Sequence, residues 1–303
     1  MYKDKDLATF LQYLDLEKHH IDALLNDFNV LEKHGIIKIF SNAVNKLEQQ
    51  GFPTREYYLF LEEIPSLIKD TPVSEYTAYF IFICTCAPYA YNILEKQGYC
   101  QEIIKNSFDD YRVKVNECYD LYKVVGTFVP AWFIGFIQGR RVKLGRLQFA
   151  REVSRFDYEK FGVSIKKGDE IIAIHIPSGE KLTLDSVLYS LRSAYEFYGA
   201  KDNMPFSCHT AFLFEDYLPV FKKGSNIRRF ADLFDVVGCS YTDSFDNCWR
   251  FFNCNYNGNP DDLPNNNSLQ KGFIEVLKNG CKHGEGFGYL VYDGKNVLTQ
   301  KQD

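Results

Sequence analysis

The sequence lacks an excess of positive charge. Its 35 Lys and Arg stand against 40 Asp and Glu, giving a formal net charge of -5 and a pI near 5.8. That removes the electrostatic case for nucleic acid as a partner. No Walker loop, Gly-x-Ser-x-Gly elbow or His-Glu-x-x-His motif occurs, so the usual signatures of P-loop NTPases, serine hydrolases and zinc proteases are missing. Nine cysteines include no Cys-x2-Cys knuckle, and Cys239, Cys248, Cys254, Cys281 and His283 fall at spacings that do not suit structural zinc. No metal is expected. The opening MYKDKDLATF is charged where a signal peptide would be apolar. With an odd number of cysteines, the chain reads as a cytoplasmic protein with reduced thiols. Only Thr77 to Leu94 is long and uncharged. It carries Pro88 and several tyrosines and has no basic flank, so a buried core helix is expected there and no membrane partner.

What is abundant is core material. Hydrophobic residues make up 46% and aromatics 16% of 303 residues, enough for two ordinary domains and too much for a disordered chain. Up to about residue 128 the apolar residues recur at helical spacing. Examples are Leu7, Phe10, Leu11 and Leu14, then Ile21, Leu24, Leu25, Phe28 and Leu31, then Tyr57, Leu61, Ile64 and Ile68. Glycines at 35, 51 and 98 fall where helices should stop. Gly126 to Gly139 is expected to be the last helix of this half.

From Arg140 the texture changes. VKLGRLQF (Val142 to Phe149) alternates like a strand with one wet face. Glu170 to Ile176 is a near-continuous apolar strand, of the kind buried on both faces. Leu184, Val187, Leu188, Leu191, Ala194, Tyr195 and Tyr198 share a helical face behind Thr183, a suitable N-cap. Phe206 to Phe212 is expected as a strand. Phe214 to Phe221 and Asn226 to Phe234 read as short helices, Val236 to Tyr241 and Cys248 to Asn253 as strands, Ser268 to Asn279 as a helix and Gly286 to Tyr292 as a final strand. The expected fold is α+β with two domains: an all-helical domain over 1–140, then an α/β domain over 141–303 with a mixed central sheet.

The strand–loop–helix–strand unit from Glu170 to Phe212 is the natural site. It puts a loop and a helix N-terminus at the C-terminal end of a central strand, where anions bind. His175 ends that strand and suits a general base; the other reading is a histidine that hydrogen-bonds the adjoining loop. Cys208 and His209 are adjacent in a strand, so they point to opposite faces and cannot form a nucleophile–base pair with each other. Cys208 with His175 across neighbouring strands would suit a thioester route, against the alternative of a small buried core residue. Arg146 reads equally as an anion ligand or one half of a structural ion pair. Ser225 and Asn226 begin a helix and read as its cap or as ligand contacts.

LGRLQF (Leu144 to Phe149), HIP (His175 to Pro177), CHTAFL (Cys208 to Leu213), SNI (Ser225 to Ile227) and SLQKGF (Ser268 to Phe273) occur in that order. Together they resemble a bacterial acyltransferase family that joins a helical N-acyltransferase-type domain to a GNAT-like C-terminal domain. The resemblance covers most of the chain and is strongest from Trp132 onward. It implies a GNAT-like fold and acetyl-CoA or another acyl-CoA as co-substrate. The pantetheine arm would lie where Glu170 to Ile176 and Phe206 to Phe212 splay apart. Ile176, Ser178, Gly179 and Lys181, with Ser225 and Asn226, would then contact CoA, and Tyr217 would protonate the leaving thiolate. The usual glycine-rich diphosphate loop is replaced by Ser178-Gly179-Glu180-Lys181-Leu182-Thr183, with acids at Glu180 and Asp185. The resemblance implies an enzyme that acylates a small-molecule or peptide acceptor at an amine or hydroxyl by direct attack, with the helical domain selecting the acceptor. Two rival readings are a non-catalytic ligand-binding protein on the same scaffold, motivated by the poor loop, and a hydrolase using Cys208.

Overall fold

The computed structural model describes residues 7–301. The chain divides into two compact units, Met1–Val142 and Lys143–Asp303.

The first unit is helical among its described residues. Its helices are α1 (Leu7–Tyr13), α2 (Lys18–Lys33), α3 (Ile36–Gln49), α4 (Thr54–Ile68), α5 (Glu75–Lys96), α6 (Gln101–Tyr122) and the short α7 (Ile134–Ile137). The α4 stripe read from the sequence is buried throughout (Tyr57, Leu61, Ile64 and Ile68), whereas in α2 Leu24 and Leu31 are buried and Ile21, Leu25 and Phe28 are half-buried. Gly35 takes a left-handed conformation (φ 76°) between α2 and α3, the geometry a helix stop requires. Ser74 caps α5, its Oγ accepting from Tyr76 N. By length and composition α5 passes for a membrane span, yet 67% of its most apolar 18-residue window is buried inside the protein. Its neighbours supply the apolar surroundings that a bilayer would otherwise provide. The expected last helix over Gly126 to Gly139 is a 3₁₀ turn, Pro130–Phe133, running into α7.

The second unit carries a six-stranded sheet. It uses β1 (Arg141–Leu144), β2 (Leu147–Val153), β5 (Glu170–His175), β6 (Met204–Thr210), β8 (His283–Tyr292) and β7 (Asp235–Thr242), in the order β1-β2-β5-β6-β8-β7. The sheet is mixed: β5 and β6 are parallel, while β2–β5, β6–β8 and β7–β8 are antiparallel. A separate hairpin, β3 (Tyr158–Lys160) and β4 (Val163–Ile165), lies between β2 and β5 in the chain. The crossover from β5 to β6 is α8 (Leu184–Phe197). Three further helices follow: α9 (Asn226–Ala231), α10 (Cys248–Phe252) and α11 (Ser268–Lys278).

Several expected elements change. VKLGRLQF is two strands joined at Gly145, whose φ of +65° a side chain rarely adopts. A Cβ there would also lie 2.7 Å from Ser190 Oγ, so α8 holds this turn from beneath. Cys248 to Asn253 is helical. Its buried residues Cys248, Phe251 and Phe252 fall at helical spacing, and Asn253 closes the helix in the left-handed region. Phe214 to Phe221 contains only a 3₁₀ turn, Leu218–Val220. The N-cap of α11 is Asn267, which accepts from Gln270 N.

Candidate active site

Side chains alternate across the sheet, so register fixes which residues meet. On one face, Phe149 of β2 meets Phe206 of β6 (5.6 Å between ring centroids), and Ile172 and Ile174 of β5 lie in register with Phe206 and Cys208. All five are buried. The crossover helix α8 packs against β2. This face is core. The opposite face carries Gln148, Ala150 and Glu152 of β2; Ile171, Ala173 and His175 of β5; and Ser207 and His209 of β6. At the N-terminal end of β5 it is sealed by a second cluster of Tyr158, Ile165, Ile171, Phe287, Tyr289 and Val291. At the C-terminal end it is polar.

The ladder between β5 and β6 is short. It pairs Ile172 with Phe206, Ala173 with Ser207 and Ile174 with Cys208, and stops there. Both strands nevertheless continue along their outer neighbours, β5 to His175 opposite Gln148 and β6 to Thr210 opposite Gly286. Two parallel strands that remain paired outward and lose each other inward are splayed. His175 and His209 are the next register positions, one on each lip of the opening.

Each histidine has a carboxylate from the strand on its far side. His175 Nε2 lies 3.0 Å from Glu152 Oε1, and His209 Nδ1 lies 3.4 Å from Glu285 Oε2. The Glu152 contact runs diagonally along β2. Ala150 and Ala173, directly opposite one another, leave the space for it. His209 Nε2 also meets Ser240 Oγ at 2.9 Å, and its Nδ1 is 3.4 Å from Arg155 Nη1. Burial pulls the His209 pKa down, Arg155 adds to this, and Glu285 and Glu152 oppose it. The ring therefore rests neutral with its conjugate acid's partners already in place.

The loop after β5 is ordered from below. Ser178, Gly179, Glu180 and Lys181 are exposed, and Gly179 has φ +109° with open space around it. Arg146, only 7% exposed, donates from Nε to the Glu180 carbonyl (2.8 Å). Burial lowers the Arg146 pKa and the Glu180 charge raises it, so this guanidinium and the loop acid compensate each other. Thr183 caps α8 by accepting from Ser186 N (3.2 Å). The β1–β2 turn thus fixes the backbone of this loop from beneath and places a cation near it.

Other expected residues lie elsewhere. Cys208 shares register and face with Ile174, opposite His175, and is 1% exposed. Burial pushes its thiol up, and Glu285 and Glu152 push it further. A protonated thiol on the core face cannot be the nucleophile of a pair with His175. Tyr217 is fully buried in an aromatic cluster with Phe214, Phe245, Phe251 and Phe273, and its hydroxyl sits 3.3 Å from His283 Nδ1. Burial raises its pKa. It is a core tyrosine, so the acid role expected for it fails on access. Ser225 Oγ accepts from Arg228 N (3.3 Å) as the cap of α9, with Asn226 the first helical residue. The residues missed in the sequence were Glu152 and Glu285, and His209 was weighed there only as a partner for Cys208. Their roles depend on cross-strand register, and HIP and CHTAFL mark only the histidines.

Residues 142–290 match the family model of the GNAT-like C-terminal domain. A search of curated proteins gives no match. Among solved structures, the chain is similar to a mutant acyltransferase in complex with octanoyl-CoA, at 17% identity and a TM-score of 0.71, covering 94% of this chain and 87% of that one. It is also similar to an acyltransferase in complex with decanoyl-CoA and teicoplanin (16% identity, TM-score 0.70, 95% and 88% covered). A third is an acyltransferase in complex with decanoyl-CoA (17%, 0.69, 93% and 86%). These likenesses extend over the helical part as well as the sheet. A mixed sheet with splayed parallel strands, and a family match across it, lead to one statement: residues 142–290 belong to the GNAT-like C-terminal domain family.

Proposed function

We propose that the protein is an acyl-CoA-dependent acyltransferase that acylates an amine or hydroxyl acceptor by direct attack. The observation that carries this is the splay of β5 and β6 immediately beyond Ile174 and Cys208, with His175 at its lip. Backbone groups past the end of the ladder must find other partners. The amides of the pantetheine arm are suitable ones. The diphosphate is held by the backbone of Ser178 to Thr183 and the first turn of α8, with Arg146 beneath. The acceptor's nitrogen or oxygen attacks the thioester carbonyl, His175 takes the proton it loses, and the thiolate leaves. Glu152 at Nε2 orients the ring and stabilises the imidazolium. Octanoyl- and decanoyl-CoA are the first donors to try, since similar structures hold them. Binding is measured first. Calorimetry is expected to give an affinity for octanoyl- or decanoyl-CoA that Arg146→Met weakens. If CoA and its acetyl, octanoyl and decanoyl thioesters all fail to bind, the proposal is wrong. A non-catalytic binder on the same scaffold would bind acyl-CoA yet release no thiol with any amine or alcohol.

A further inference from the structure

We propose that the acyl donor is also delivered to this site by an acidic carrier protein that bears the acyl group on a phosphopantetheine arm, and that the basic segment 222–229 is the surface on which the carrier docks. This rests on the acyltransferase reading above and extends it to a second form of donor.

Charge marks the surface. Residues 222–229 read KKGSNIRR, four cations and no acid, in a chain whose net charge is -5. Lys222, Lys223 and Arg229 are exposed, while Arg228 is paired with Asp232 (Nε to Oδ1 2.9 Å). A local excess of this kind on an acidic protein draws an acidic face of matching size, whereas the rest of the surface opposes a long polyanion such as nucleic acid. Position ties the segment to the splay. Helix α9 packs against the crossover helix α8 and against the 3₁₀ turn Ala211–Leu213, which follows β6 directly. Past the other end of α9, the Asp232 carbonyl accepts from Lys301 N. The Leu233 carbonyl accepts from Thr299 Oγ1, which accepts in turn from Val291 N near the end of β8. Because β8 is antiparallel to β6, with Val291 opposite Pro205, that is the N-terminal end of β6. Helix α9 therefore runs from the splayed end of the sheet toward the opposite end. Lys222 and Lys223, ahead of its cap Ser225, lie at the splayed end.

The loop after β5 supplies the second observation. CoA brings a diphosphate and a further phosphate, whereas a carrier-borne arm brings one phosphodiester. The loop offers Lys181 and Arg146, whose Nε is already committed to the Glu180 carbonyl, against the exposed carboxylates of Glu180 and Asp185. Two cations against two acids suit one phosphate charge better than several. A donor held by the face of its carrier needs little from the loop. The arm and thioester, which the two donors share, enter the same opening. The transfer step keeps the same atoms. The acceptor's nitrogen or oxygen bonds to the thioester carbon, and the C–S bond breaks with its electron pair on sulfur. The proton lost by the acceptor ends on that sulfur, giving the acylated acceptor and the carrier's phosphopantetheine thiol.

The test compares two donors with the same acyl group: octanoyl-CoA and an acidic acyl carrier protein loaded with octanoyl-phosphopantetheine. Each is titrated into the full chain by calorimetry, and the wild-type protein is expected to bind both. In the double variant Lys222→Glu, Arg229→Glu the dissociation constant for the octanoyl carrier should rise about tenfold, as two exposed attractive pairs become repulsive, while that for octanoyl-CoA stays within about twofold. The double variant Lys222→Gln, Arg229→Gln should show a smaller loss, again for the carrier alone, which protects the test should the charge reversals fold poorly. A wild-type protein that binds octanoyl-CoA and not the octanoyl carrier overturns the carrier proposal and leaves the acyltransferase reading intact. So does a variant that binds the carrier as well as wild type does, or one that loses both donors equally, which would assign these cations to the phosphates of CoA. If neither donor binds the wild-type protein, both readings fall.

Discussion

At the scale of single residues, position on a strand decides chemistry. His175 and Cys208 lie on neighbouring strands within one residue of register, yet alternation sends one to the polar face and the other into the core. His175→Gln is expected to lower octanoyl transfer by about 10²- to 10⁴-fold while calorimetric affinity for octanoyl-CoA stays near wild type. Equal losses in affinity and rate would show that the ring serves binding instead. Cys208→Ala should leave the rate unchanged and cost about 1 kcal/mol of stability, read from a denaturant midpoint, because it removes a small buried group. In native protein, iodoacetamide should label exposed Cys100 well before Cys208, by peptide mass mapping. Preferential labelling of Cys208 would revive a nucleophilic role.

At the scale of elements, the β1–β2 turn and the loop after β5 form one device. Gly145 lets the turn settle on Ser190 of α8, which accepts from Arg146 N (2.8 Å), while the Arg146 side chain reaches the Glu180 carbonyl. Arg146→Met keeps most of the side chain's packing and removes the charge. It is expected to raise the octanoyl-CoA dissociation constant by about tenfold, of the order of one charge-assisted hydrogen bond. An unchanged dissociation constant would mean the loop takes no part in holding the diphosphate. On the acyl-CoA proposal, the underlying guanidinium would supply the fixation that a glycine-rich loop obtains from backbone alone.

At the scale of the whole molecule, a histidine buried in the first unit and two half-buried in the second make the fold sensitive to acid. His20 is 2% exposed, neither ring nitrogen has a hydrogen-bond partner, and its pKa is lowered, by burial first and then by His19. His209 and His283 are lowered as well. A lowered pKa means that the unfolded chain binds protons the folded chain refuses. Stability is therefore complete above the ordinary histidine value of 6.5 and declines as pH falls below it. The Tm should drop between pH 7 and 5.5 and drop less in His20→Phe. A Tm constant over that interval would contradict the neutral state assigned to these rings.

The sequence by itself determined a helical first half followed by an α/β half, the order of strand, loop, helix and strand around His175, and the cap at Thr183. These follow from periodicity, propensity and short-range capping, all of which act within a few residues. It misplaced Cys248 to Asn253, because six residues hold too little period to separate helix from strand, and it joined two strands at Gly145. Only the tertiary structure decided the site. Which face His175 shares with Glu152, that β5 and β6 part after Ile174, that His209 finds Glu285 76 residues away and Arg146 finds the loop 34 residues away are facts of register and crossover. Cross-strand pairing is set by which apolar surfaces must be buried together, and no local pattern encodes it.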